Sequence, residues 1–166
     1  MENILNLTIV IPTVGEKSLL EVIKNLNSNI SIPKKILVVI YKRNLIKIDK
    51  KIKNYDNVEI ATTNSPGQVH QRVEGFKLAK TDFVMQLDAD CFIDNHSIIE
   101  MMDFLKSHDK ASVGPCFLDI KNNLPIHKFI DEFKIKRILK NFVLGFPNDN
   151  KIMGKVSKSG TNFGVD

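Results

Sequence analysis

Phe83-Val84-Met85-Gln86-Leu87-Asp88-Ala89-Asp90 is an apolar run that ends in two carboxylates separated by one small residue. A short apolar run bounded by polar residues predicts a buried β-strand, here over Phe83–Leu87. In an open α/β sheet, ligands bind in the crevice beyond the carboxyl ends of the strands. We therefore expect Asp88 and Asp90 to lie at a binding site. Asp-x-Asp alone is a common pattern, and the alternative is that the two residues only begin a surface loop.

The chemistry of this site follows from the two acids. Two ionised carboxylates this close together repel each other unless a cation or a shared proton is present. Hard divalent cations such as Mg²⁺ and Mn²⁺ take oxygen ligands of this kind. We therefore expect Mn²⁺ or Mg²⁺ at Asp88 and Asp90, where the metal would hold a diphosphate.

Strands alternate with helices on the N-terminal side of this stretch. Continuous apolar runs predict three further strands, at Leu7–Ile11, Ile36–Ile40 and Val58–Thr62, and Pro12 is expected to stop the first of them. Apolar stripes at helical spacing predict helices at Ser18–Leu26 and Gln68–Ala79. The second helix is expected to face the sheet with these side chains: Val69, Val73, Phe76 and Leu78 or Ala79. This alternation is typical of an α/β fold with a mainly parallel sheet and helices on both faces.

The pattern weakens on the C-terminal side. It predicts a helix at Ile98–Leu105, a strand at Ala111–Phe117 and a turn at Lys121–Asn123. An amphipathic helix is predicted over Phe129–Phe142. We expect that helix to pack on its own domain, with a membrane surface or a partner protein as the alternatives.

Composition limits the class of protein. A chain of 166 residues with 43% hydrophobic residues is expected to fold as one domain, residues 1–166. It has no apolar run long enough to span a membrane and no signal-peptide pattern at its start, so we expect a cytoplasmic protein. Cys91 and Cys116 lack the spacing of a zinc site, and we expect both to be reduced.

The net charge of +5 suits an anionic ligand, an anionic membrane surface or nucleic acid. The lysines are scattered along the chain, and no nucleic-acid signature accompanies them. We therefore expect no nucleic-acid partner and assign most of the lysines to solvated faces.

The order of these parts resembles the nucleotide-binding half of a GT-A glycosyltransferase of the family 2 type. The first strand ends in Ile11-Pro12-Thr13, which looks like that family's opening Ile-Pro-Thr segment. Asn64-Ser65-Pro66-Gly67 with Arg72 and Gly75 resembles its Asn-x-Gly and Ala-Arg-Asn-x-Gly segment. Residues 79–90 resemble its turn, strand and Asp-x-Asp. Gly154–Gly160 looks like a later strand and turn near the acceptor side and is the weakest match.

The resemblance implies a Rossmann-like GT-A fold and a metal-dependent transferase, with inversion at the anomeric carbon. The donor would be a nucleotide diphosphate-sugar, and the acceptor a saccharide, a lipid-linked sugar or a protein. Asp90 would coordinate the metal, with Asp88 contacting the ribose or the metal shell. By the same resemblance the donor-binding residues would be Pro12, Thr13, Asn64, Gly67, Arg72, Asp88 and Ala89. A place at the inner face of the membrane and a homo-oligomer are left open.

Two departures from the family pattern bear on function. The family usually has a base-recognising acid after the second strand, but here Ile40 is followed by Tyr41, Lys42 and Arg43. The choice among uridine, cytidine and guanosine donors therefore stays open. The catalytic base is unknown, because Asp166 is nearer to the Asp-x-Asp than expected and is a poor candidate. We therefore expect the chain to be truncated on the acceptor side.

Three other functions compete with the transferase. A nucleotidyltransferase would need a Gly-rich basic loop after the first strand, and residues 14–17 are a thin version of one. A catalytically silent module that binds nucleotide-sugars fits the missing acids. An interaction domain that has kept the fold without the ligand is the third.

Overall fold

A computed structural model gives the fold and describes residues 3–108, 111–114, 118–119 and 124–125. Residues 1–95 and 96–166 form two compact units. In the N-terminal unit the elements are β1 (Asn3–Thr13), α1 (Leu19–Asn27), β2 (Ser31–Tyr41), two 3₁₀ helices (Lys42–Lys47 and Lys50–Asn54), β3 (Val58–Thr63), α2 (Gln68–Leu78) and β4 (Phe83–Gln86). The four strands are parallel and pair in the order β3-β2-β1-β4. The predicted strands and helices of this unit are confirmed, with longer ends for β1 and β2.

Buried aliphatic side chains cover both faces of the two central strands, β1 and β2. On one face Val10, Leu37 and Val39 form a cluster against which Ala61 and Leu78 pack. The alternate residues point to the other face and are equally buried: Ile9, Ile11, Ile36, Val38 and Ile40. The crossovers β1-α1-β2 and β3-α2-β4 run in opposite directions along the sheet, so right-handed connections put α1 and α2 on opposite faces. The predicted α/β fold, with a mainly parallel sheet between helices, is confirmed.

The sequence pattern predicts that Pro12 stops β1, and this prediction is wrong. The strand runs on to Thr13 through its pairing with β2. The Val10 carbonyl accepts from the Leu87 N–H at 3.0 Å, so Val10 and, two residues on, Pro12 direct their backbone groups towards β4. Because proline has no N–H, the ladder with β4 cannot continue at that position. Pro12 therefore ends the β1–β4 pairing and leaves the chain after Leu87 free to turn.

The predicted burial of β4 is wrong. The strand ends at Gln86, one residue early, and its four residues are half-buried or exposed. Among the described strands β4 pairs with β1 alone, which makes it an edge of this sheet.

The predicted inward face of α2 is confirmed for Leu78, which packs on the buried cluster described above, and is wrong for the other three side chains. Val69 is 69% exposed, and Val73 and Phe76 are each 47% exposed. The helix instead buries Gln71 and Gly75 against the sheet. A close approach at Gly75 to Val10 and Val39 fixes the rotation of the helix, with the three exposed apolar side chains on its outer side.

The C-terminal unit begins within α3 (Asn95–Ser107), which confirms the helix predicted at Ile98–Leu105. A short antiparallel pair follows, β5 (Leu118–Asp119) with β6 (Leu124–Pro125), on either side of the predicted turn. Residues 111–114 form no strand, so that part of the predicted strand Ala111–Phe117 is wrong. The described residues do not include 115–117, the turn at 121–123, the helix 129–142, the segment 154–160 or Asp166. No helix in the described part of the chain is long and apolar enough to cross a membrane.

Candidate functional site

The parallel sheet brings four loops to one edge, because each leaves the carboxyl end of a strand. These loops follow Thr13, Tyr41, Thr63 and Gln86. All of the donor-binding and metal-binding residues predicted from the resemblance lie in these loops, at the strand ends or in the first turns of α2. Asp166 lies outside the described residues.

The Asp88-Ala89-Asp90 segment is a tight turn fixed from three sides. The Cys91 N–H donates to the Asp88 carbonyl at 3.1 Å and closes the turn. Its first residue is held to β1 by the preceding Leu87–Val10 hydrogen bond. The hydroxyl of Ser18, at the start of α1, donates to the Ala89 carbonyl at 2.9 Å. Ala89 is buried, Asp90 is exposed and Asp88 is partly exposed, so the turn presents both carboxylates to solvent, Asp90 the more fully.

Arg72 reaches from α2 to the same turn. Its Nη2 lies 3.1 Å from Oδ1 of Asp88 and 3.3 Å from Oε1 of Gln68. Nε of Arg72 is buried and makes no hydrogen bond. Both ionic side chains are partly open to solvent, so the pair is screened and contributes little to stability. Its main consequence is that the Arg72 guanidinium contacts the turn that carries both carboxylates, at the end of β4.

Asp90 has no cationic partner in the part of the chain that the structure describes, and its Oδ1 lies 3.7 Å from Sγ of Cys91. Partial burial, and then the charges of Asp90 and Asp88, raise the pKa of the Cys91 thiol. This environment favours the protonated thiol and disfavours a nucleophilic role for Cys91.

The two carboxylates fit a divalent ion that takes its other ligands from a substrate. Among the described residues, no cluster of three or more His, Cys, Asp or Glu side chains could hold a metal ion. Mg²⁺ is commonly bound through one or two carboxylates plus substrate phosphates, and it keeps several waters. Asp90, exposed and without a cationic partner within the described residues, is the better ligand of the two, because Asp88 already accepts from Arg72.

The β1–α1 loop is closed by its own side chains. The Thr13 hydroxyl donates to Glu16 Oε2, which also accepts from the Val14 N–H at 3.1 Å. Thr13 Oγ1 accepts from the Gly15 N–H at 2.9 Å. Gln71, only 1% exposed, donates from Nε2 to the Thr13 carbonyl at 2.7 Å and so joins α2 to the end of β1.

The loop before α2 is exposed from Asn64 to Gly67. Gly67 is the N-cap residue of α2, with φ +105° and ψ +144°, a conformation that L side chains rarely adopt. It contributes no side-chain cap to the first turn of the helix. The first N–H groups of a helix lack intrahelical partners and attract anions.

Three residues that shape this edge were not predicted from the sequence: Ser18, Glu16 and Gln71. Ser18 was expected only to begin α1. The Thr-x-x-Glu spacing of Thr13 and Glu16 is that of a capping box, which was a usable signal although no helix begins at Thr13. Gln71 carried no signal, because a polar residue in the first turn of a helix is ordinarily exposed.

Comparisons with known proteins agree with the fold. The model of a family described as "Glycosyl transferase family 2" matches residues 8–157. No curated protein matches the chain. The crystal structure of S. aureus TarS superposes with a TM-score of 0.57 and 21% identity, over 74% of this chain and 23% of that one. A crystal structure of S. aureus TarS 1-349 gives a TM-score of 0.57 and 17% identity, over 97% of this chain and 47% of that one. The chain thus spans less than half the length of either structure, and the likeness is one of fold.

Proposed function

We propose that this chain, which belongs to glycosyl transferase family 2, binds a nucleotide diphosphate-sugar and transfers its sugar with inversion, by a metal-dependent route, to an acceptor hydroxyl. The observation that carries the proposal is the meeting of Arg72 with the Asp88–Asp90 turn at the carboxyl end of β4. A cation and paired carboxylates at one crevice suit a ligand that brings both phosphate charge and a divalent ion.

Each group in this crevice has a role that its chemistry supports. Arg72 and the uncapped first turn of α2 would donate hydrogen bonds to the diphosphate. Asp90, with Asp88, would hold Mg²⁺ or Mn²⁺. When bound, that ion offsets the charge that develops on the leaving diphosphate. Thr13, held by Gln71, would keep the end of β1 in place beside the nucleoside.

Recognition of the base would fall to the end of β2, where the family's acid is missing. Tyr41 is half-buried there, and the Arg43 guanidinium carbon lies 6.0 Å from the centre of its ring. A base stacked on Tyr41 would gain aromatic contact without the hydrogen bond that an acid provides. We therefore expect weak discrimination among uridine, cytidine and guanosine diphosphates.

A second candidate function is donor binding without transfer. The absence of an acid from the Tyr41–Arg43 segment favours it. The base that would deprotonate an acceptor hydroxyl also has no candidate in the described part of the chain, and Asp166 remains a poor one. The acceptor, as saccharide, lipid-linked sugar or protein, and a cytoplasmic location stay predictions.

Calorimetry of nucleoside diphosphates tests the shared part of both candidates. We expect uridine, cytidine or guanosine diphosphate to bind at least tenfold more tightly with Mn²⁺ than with chelator. Asp90→Asn should remove this metal dependence, because it replaces the exposed carboxylate by a neutral amide. Asp56→Asn is the matched control, since Asp56 is exposed near the amino end of β3, away from the crevice.

The outcomes separate the candidates. Equal affinity in Mn²⁺ and in chelator would exclude the metal-bridging role, and absence of binding in both would favour the interaction domain. Metal-dependent binding without sugar transfer to a broad acceptor mixture would favour the silent module. Metal-dependent binding with transfer establishes the transferase, and loss of transfer in Asp166→Asn would make Asp166 the base.

A further inference from the structure

The strongest concentration of positive charge in the described part of the chain begins directly after Tyr41 and occupies the two 3₁₀ helices that connect β2 to β3. We call residues 42–53 the basic segment. It contains six Lys or Arg residues and one acid, so its net charge of +5 equals that of the whole chain. Sequence reasoning placed these lysines on solvated faces, but the structure gathers them into one continuous connection at the edge of the sheet.

These cations have no carboxylate partner among the residues that the structure describes. Elsewhere on the surface Lys24, Lys35 and Lys106 form ion pairs at 2.7–2.8 Å. Within the described residues, no cation of the basic segment makes an ion pair. Asp49, the only acid of the segment, accepts instead from the backbone N–H of Lys51 and caps the second 3₁₀ helix. The positive charge is therefore available to a partner outside the chain.

The same segment exposes aliphatic side chains beside its charges. Ile46 is 92% exposed and Leu45 is 42% exposed, while Ile52 is buried and anchors the second 3₁₀ helix. In a 3₁₀ helix, residues three apart lie one above the other, so Ile46 lies next to Arg43 and Leu45 next to Lys42. Exposed aliphatic groups interleaved with basic ones are typical of surfaces that enter the interfacial region of an anionic bilayer.

We propose that the basic segment docks this protein on an anionic lipid bilayer, with Ile46 and Leu45 inserted among the headgroups and the lysines and arginine over the lipid phosphates. A fully exposed isoleucine gains free energy from a bilayer but none from a soluble polyanion, which would need only the charges. We call Leu45 and Ile46 the aliphatic tip. Its exposure favours a bilayer over the other anionic partners.

Docking at this segment brings the donor crevice to the membrane surface. The first 3₁₀ helix begins at the carboxyl end of β2, on the same edge of the sheet as Asp88. A Cβ on Gly15 would lie 2.5 Å from Cβ of Lys47, so the basic segment touches the β1–α1 loop. An acceptor attached to a lipid would then lie close to the crevice. The docking itself does not depend on the proposed function.

Partition of the full chain onto vesicles tests the proposal without donor or turnover. We expect binding to vesicles of phosphatidylglycerol and phosphatidylcholine at about 0.1 M salt and none to phosphatidylcholine alone. A basic residue at an anionic surface contributes about fivefold in affinity, so Lys50→Gln with Lys53→Gln should lower partition about 25-fold. The matched control is Lys77→Gln with Lys80→Gln, which removes the same charge at the same spacing from the exposed end of α2.

The aliphatic tip has its own matched pair. Ile46→Ser should lower partition about tenfold, whereas Ile30→Ser, at an isoleucine 84% exposed before β2, should leave it unchanged. Equal losses in the two lysine pairs would mean that only net charge matters and would overturn the proposal. So would loss in the Lys50 and Lys53 variant with no effect of Ile46→Ser, which indicates a soluble polyanion. Absence of partition by the unmodified chain would overturn it directly.

Discussion

Gly75→Ala tests whether the close approach of α2 to the sheet sets the geometry of the crevice. A Cβ at this position would overlap Cγ1 of Val10 and lie 3.2 Å from both Cγ2 of Val10 and Cγ2 of Val39. Both valines are fully buried in the two central strands, so neither has space to move away. Helix α2 must therefore shift outward. Gln71 and Arg72, which lie one helical turn before Gly75, would move with it.

The size of the effect follows from two opposing contributions. Overpacking a buried site costs about 1–3 kcal/mol, and the overlap with Val10 argues for the upper end. Alanine recovers about 1 kcal/mol of helix propensity relative to glycine. We expect a net loss of about 2 kcal/mol in the free energy of unfolding, or about 6 °C in Tm for a chain of this length. Calorimetry and denaturant unfolding measure both quantities, and nucleoside diphosphate affinity should fall with them.

Two controls separate overlap from other causes. Gly114→Ala should leave stability unchanged, because a Cβ there meets nothing within 4 Å. In a Val10→Ala background the overlapping methyl group is gone, so adding Gly75→Ala should cost little or increase stability. A cost equal in both backgrounds, or a higher Tm for Gly75→Ala alone, would refute the packing argument.

Three further predictions concern the crevice. Gly67→Ala should cost about 1–3 kcal/mol of unfolding free energy from backbone strain alone, since a Cβ there meets no atom within 4 Å; an unchanged Tm would contradict this. Arg72→Ala should weaken binding of nucleoside diphosphate more than binding of the bare nucleoside, and an unchanged ratio in calorimetry would leave Arg72 as a partner of Asp88 only. Partial burial, and then the charges of Asp90 and Asp88, raise the pKa of Cys91 above its ordinary value in the folded chain, so the thiol stays protonated at a pH where that of the unfolded chain ionises. Alkylation of Cys91 at pH 9, measured by mass spectrometry of its peptide, should therefore be slower in the folded chain than in the unfolded chain. It should be faster in folded Asp90→Asn than in the folded unmodified chain. Equal rates in these three samples would contradict the pKa argument.

The sequence was sufficient for the sheet because its central strands are continuous runs rich in β-branched residues. Ile36–Ile40 and Leu7–Ile11 are buried on both faces, and that burial is what a run without polar alternation indicates. The Asp88–Asp90 turn was predictable for the same reason, since it follows the last of these runs. The pairing of β4 with β1 alone among the described strands was not predictable, because an apolar run of four residues is the same whether one or two strands pair with it.

The face of α2 could not be predicted from its apolar residues. Hydrophobic periodicity assumes that the largest apolar side chains point inward. Here the inward position belongs to Gly75, where the absence of a side chain allows the helix backbone to approach Val10 and Val39. The hydrogen bond from Gln71 to the Thr13 carbonyl depends on that approach and is a tertiary contact 58 residues apart in sequence. No local pattern encodes such a contact.

The exceptions to local rules lie at the carboxyl edge of the four-stranded sheet. Pro12 lies inside a strand, Gln71 is a buried amide on a helix, and Gly67 holds a backbone conformation that other residues avoid. Each exception changes the carboxyl edge. Pro12 ends the pairing with β4, Gln71 joins α2 to β1, and Gly67 leaves the first turn of α2 without a side-chain cap. Departures from local consistency are expected where a chain serves function as well as folding. Their common location at the carboxyl edge, where the turn that carries Asp88 also lies, therefore supports a binding site there by an argument independent of the carboxylates themselves.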